Sequence, residues 1–199
     1  MKARIFGAIF ALAMIGIPLL GWAADAPTNT VKRLIESVKS YRKEASSLSA
    51  QDRAANARAQ KVAEEAFAVQ DLAKRMLGPE WEKLSVGEKK DFTQLLTSLF
   101  QKVAYPKSAE FFGDLQIDFR DEKVTGDEAI VETSVSHPKE GQVDIQYQLH
   151  QFNGKWMIED VLLDGVSLVT NVRSQMQQVI AKESYQGLVK RMREKLAES

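Results

Sequence analysis

The hydrophobic rhythm of this chain changes twice, and that limits the fold more than any other feature. Up to about residue 112, apolar residues recur at intervals of three and four. From Leu115 to Leu163 they alternate every second residue, and beyond about residue 168 the helical interval returns. A chain that reads helices, then strands, then helices folds as an α+β domain in which the helices must cover one face of the sheet.

The helical part divides at its own punctuation. Val31, Leu34, Ile35, Val38 and Tyr41 form one stripe, and Val62, Ala66, Phe67, Val69, Leu72 and Met76 form a second over 51–77, stopped by Gly78-Pro79. Ser85 followed by Glu88 fits a capping box. It opens a helix with Phe92, Leu95, Leu96, Leu99, Phe100 and Val103, and Pro106 ends this helix or lies just beyond its end. In the alternating part, "LQIDFR", "DEAIVETSVS", "QVDIQYQLHQF" and "KWMIEDVLL" read as four strands. Asn153-Gly154 joins the last two as a tight hairpin. Short links make the sheet mostly antiparallel, curved and wet on one face. Two helices follow, at about 168–182 and 185–197. Neither a repeat nor a linker divides the chain. Covering such a sheet leaves either a packed core or a pocket.

Residues 1–23 read as a cleaved secretory signal peptide: Lys2 and Arg4, an apolar run from Ile5 to Leu20, then "GWA" as a small-x-small site. The remainder, 24–199, is expected to be one domain, soluble in the periplasm or outside the cell; the rival to cleavage is a retained membrane anchor. With no cysteine, the chain can form neither a disulfide nor a thiolate metal site, nor a lipidated N-terminal cysteine. Lys+Arg and Asp+Glu both number 27, so the basic excess of a nucleic-acid binder is missing.

Catalytic signatures are sparse. His137 and His150 stand alone, and no metalloprotease, phosphate-loop or nucleophile-elbow motif occurs. Asp160 is the exception. Counting back from Asn153-Gly154, Phe152 pairs with Lys155, Leu149 faces Ile158, Tyr147 faces Asp160 and Ile145 faces Leu162. That register sets a carboxylate on the apolar face, where it must be paired or shift its pKa upward. It would serve either as a general base in an apolar pocket or as a structural group, paired with Arg173 or capping a helix. Asp164-Gly165 reads as a turn, with Ser167 or Thr170 as the following N-cap.

Two stretches, "LGPEW…KLSVGEKKDFTQLLTSLFQKVAY" and "GKWMIEDVLLDGVSLVTNVRSQM", resemble the MlaC (toluene-tolerance) family over essentially the whole mature chain. Val172 stands where the family pattern has an aromatic residue. The resemblance implies a fold related to nuclear transport factor 2 (NTF2-like), an apolar pocket between sheet and helices, and no enzymatic activity or cofactor. It implies a bound phospholipid as cargo, carried between an outer-membrane lipoprotein complex and an inner-membrane ABC transporter with a lipid-binding ring subunit, so maintaining outer-membrane lipid asymmetry. The pocket lining expected is Leu96, Leu99, Val103, Tyr105, Ile145, Tyr147, Ile158, Leu162, Val166 and Leu168, with Asp160 and Arg173 structural. The rival reading is an NTF2-like enzyme with Asp160 as its base.

Overall fold

The computed structural model describes residues 25–42, 48–113, 115–138 and 141–198; the expected signal peptide lies outside them. The helical part comprises α1 (Pro27–Ser40), α2 (Ala50–Ala66), α3 (Val69–Leu77), a 3-10 turn (Gly78–Lys83) and α4 (Val86–Leu99). A π-helical turn (Phe100–Ala104) then leads directly into α5 (Tyr105–Phe112). The strands are β1 (Ile117–Thr125), β2 (Glu128–His137), β3 (Gly141–Phe152), β4 (Lys155–Leu163) and β5 (Val166–Ser167), and the chain closes with α6 (Leu168–Glu183) and α7 (Tyr185–Ala197). Among the described residues, no helix is long and apolar enough to cross a membrane.

The strands form one open antiparallel sheet in sequence order. It has five strands where the alternation predicts four. The fifth is a two-residue strand made by a second tight hairpin, Asp164-Gly165, whose φ angles of 46° and 80° repeat those of Asn153-Gly154 at 48° and 76°. Two consecutive positive φ angles are what a twisted two-residue hairpin needs, and Asn-Gly and Asp-Gly reach them at least cost.

The predicted register holds from Phe152↔Lys155 to Leu149↔Ile158 and then slips by one residue. Glu159 is an extra residue, so Gln148 pairs with Asp160, Tyr147 with Val161 and Ile145 with Leu163. A bulge of this kind re-aims everything beyond it. Val161 and Leu163 take the inner face, while Leu162 moves to the face of Gln146.

Two boundaries also differ from the sequence reading. Helix α2 stops at Phe67, which is extended (φ −107°, ψ 137°) and forms a parallel bridge to Ile158 on the open edge of β4. Pro106 lies inside a continuous helical run instead of ending it. The π turn absorbs the ring: the Tyr105 N–H donates five residues back to Phe100, and the Gln101 carbonyl, which loses the matching donor to proline, accepts from Gln60 Nε2 at 3.4 Å.

Two apolar cores result. The first lies between the inner sheet face and α1, α2 and α5, and contains Val31, Val131, Ile145, Tyr147 and Ile158. The second joins α3, α4, α6 and α7 around Leu72, Leu77, Phe92, Leu96 and Met192. Phe67 packs against both.

Candidate functional site: an apolar chamber between the cores

The two cores do not meet everywhere. Between them lies a cavity of about 390 Å³, within the range of about 300–1,000 Å³ usual for ligand pockets. Its walls come from every layer. Leu34, Ile35 and Val38 face it from α1, Ala63 and Phe67 from α2 and its end, and Leu72 and Met76 from α3. The α4–α5 run supplies Thr97, Phe100, Ala104, Tyr105, Phe111 and Phe112; the sheet supplies Tyr147, Val161 and Leu163, and α6 supplies Leu168 and Val169. The Phe67 and Phe100 rings meet at a centroid distance of 5.7 Å where the α2–α3 break faces the π turn.

Two phenols stand in this wall with their polar ends tied away. The Tyr105 hydroxyl donates to Ser37 Oγ at 2.8 Å, and the Tyr147 hydroxyl bonds to Thr133. Burial pushes the Tyr147 phenol up to about 12 against the Thr133 bond, and raises Tyr105 as well. Both remain neutral at physiological pH, so neither adds charge to the wall. Polar groups join the lining from two sides. Gln60, Glu64, Gln101, Lys107 and Ser108 come from α2 and the α4–α5 run, and Glu159, bonded to Arg75 at 3.0 Å, comes from β4.

Asp160 is buried at the N-terminus of α6. Its carboxylate accepts from Val161 N at 2.8 Å, Val169 N at 3.2 Å and Ser167 Oγ at 2.5 Å. Ser167 Oγ in turn accepts from Thr170 N at 3.0 Å. The open N–H groups of the first helical turn thus find acceptors in one carboxylate and one hydroxyl. Asp160 and Arg173 make no ion pair. The bulge turns Asp160 toward α6, while the exposed Arg173 guanidinium lies across Gly78, where an added Cβ would come within 2.9 Å of Nε. A cation there faces the C-terminus of α3, the favourable end of that helix for positive charge.

Of the residues expected to line a pocket, Tyr105, Tyr147 and Leu168 do so. Leu96 is buried in the second core and Leu99 packs against it, because α4 turns that face toward α3 and α7. Val103 is half-buried outside the lining. Ile145 and Ile158 are fully buried in the first core beneath the cavity wall. Leu162 is carried to the outer face by the Glu159 bulge, and Val166 is 57% exposed in the second hairpin. The sequence reading missed Phe67, Phe100 and Met76. The available signal was the closely spaced aromatics Tyr105, Phe111 and Phe112, beyond what one buried helix face requires.

Fold and cavity together define the class: an α+β protein with an apolar chamber held between a sheet-based core and a helical core. The chain belongs to the MlaC protein family, whose model matches residues 28–194. Its fold is shared with the phospholipid-binding protein from Ralstonia solanacearum, solved in complex with a phospholipid. That likeness has a TM-score of 0.70 at 17% identity and covers 87% of this chain and 98% of that one. No curated protein matches this chain. Among the described residues, no group of three or more His, Asp or Glu is arranged to hold a metal ion.

Proposed function

We propose that this protein is a periplasmic phospholipid carrier. The acyl chains lie in the chamber, and the protein moves its cargo between an outer-membrane lipoprotein complex and an inner-membrane ABC transporter with a lipid-binding ring, maintaining outer-membrane lipid asymmetry. The observation that carries this reading is the chamber itself, an apolar void that both cores leave unfilled. Family membership and the phospholipid bound to the Ralstonia protein support the same cargo. The physics requires a carrier of this kind. About 30 acyl methylenes at roughly 0.8 kcal/mol each would cost on the order of 20 kcal/mol to expose to water, so the cargo needs a dry enclosure throughout the crossing. Catalysis by Asp160 is the weaker reading, since both carboxylate oxygens already accept hydrogen bonds that cap α6.

Transfer between vesicles tests the function. Protein recovered from the osmotic-shock fraction without detergent is expected to move labelled phospholipid from donor to acceptor vesicles across a membrane that retains the vesicles. Transfer no faster than in buffer would sink the proposal.

A further inference from the structure

The rim between α2 and the α4–α5 run holds two charges of opposite sign that do not neutralise each other. Glu64 accepts a hydrogen bond from Gln101 Nε2, which fixes one oxygen at the cavity edge and leaves the other available. Lys107 lines the same cavity and has neither a hydrogen-bond partner nor an ion-pair partner among the described residues. Gln101 and Lys107 are six residues apart on one helical run, about 9 Å along its axis. Glu64 reaches this run through Gln101, and no ion pair joins it to Lys107. Elsewhere along the lining the molecule does pair such charges, as in Arg75–Glu159. The Gln101 position is itself fixed: its carbonyl, freed by Pro106, is held by Gln60.

Resting on the carrier reading, we propose that this rim is a headgroup subsite for a zwitterionic glycerophospholipid, with the phosphate on Lys107 and the terminal ammonium on Glu64. A lipid whose tails fill the chamber brings its phosphate to the edge of the apolar wall, where Lys107 offers the unpaired cation. A headgroup ending in an ammonium then finds an acceptor already oriented, whereas an uncharged glycerol terminus gains no ion pair. The Arg75–Glu159 end offers no such unpaired cation, since its arginine is already engaged.

The test uses delipidated mature protein and vesicles of equal parts phosphatidylethanolamine and phosphatidylglycerol with identical acyl chains. Bound lipid is extracted after re-isolation and the two species are quantified. The wild type is expected to hold phosphatidylethanolamine in about two- to five-fold excess over the vesicle ratio, the scale of a solvent-exposed ion pair. Glu64→Gln is expected to remove that excess, and Lys107→Gln to reduce uptake of both lipids. Glu65→Gln, an exposed position one residue off the rim, is the control and should leave the ratio unchanged. Lipid bound at the vesicle ratio, or an excess that survives Glu64→Gln, overturns the subsite while leaving the carrier standing. A protein that takes up neither lipid overturns both.

Discussion

Removing the Asp160 carboxylate deprives two backbone N–H groups and the Ser167 hydroxyl of their acceptor at once. Asp160→Ala should cost about 2–3 kcal/mol, a lost cap combined with buried donors left unsatisfied. Arg173→Ala touches a different element, the end of α3, and should cost less than about 1 kcal/mol. Because the two residues share no bond, their effects in urea unfolding should add to within about 0.5 kcal/mol. A coupling well above that would restore the ion pair that the sequence suggests. Tyr147 is expected to produce a pH dependence. Its folded pKa is raised from 10.0 to about 12 by burial, so the unfolded chain releases that proton first. The stabilising contribution is fully present below pH 10 and is lost as pH rises toward 12. Stability measured across that interval should fall less steeply for Tyr147→Phe than for the wild type.

At the scale of elements, both ends of α4 follow from side-chain chemistry. Its capping box is complete: Ser85 Oγ accepts from Glu88 N at 3.3 Å, and Glu88 Oε2 accepts from Ser85 N at 2.9 Å. Ser85→Ala should lower stability by about 1 kcal/mol, read as a shift in the denaturant midpoint without a change in slope. This start was legible because capping chemistry is local, as were the Asn153-Gly154 hairpin and the bounds of α6 and α7. The far end was not legible. Pro106 is a helix breaker wherever its missing donor and its ring go uncompensated, and here the π turn just before it absorbs the ring while Gln60, from α2, supplies the missing donor. Phe67 has the same character. Nothing in "AEEAFAVQ" marks a break, which exists because the edge of β4 accepts a bridge. The Glu159 bulge carries no signal in the alternation of β4, yet it decides that Val161 and Leu163, not Leu162, face inward.

Across the whole molecule, the pattern of apolar residues foretold helices covering one face of a sheet, without saying whether a packed core or a pocket would lie between them. Apolar periodicity identifies a buried face and is blind to whether a protein core or a cavity lies opposite. Leu96 and Phe100 lie on the same helical run and came out on different sides of that distinction. Leu96→Ala removes packing from the second core and should cost about 2–5 kcal/mol while the remaining folded protein keeps its cargo. Phe100→Asn changes the chamber wall at a half-buried position that water can reach once the cavity is empty, and should fold while losing cargo. Native mass spectrometry of the wild-type protein and Phe100→Asn, purified without detergent, tests the central claim most directly. The expected result is a wild type heavier than its polypeptide by a phospholipid, identified by extraction, and a Phe100→Asn protein that is folded and nearly empty. A wild type at its bare polypeptide mass, or a Phe100→Asn protein as fully loaded as the wild type, would contradict the assignment of this chamber to lipid.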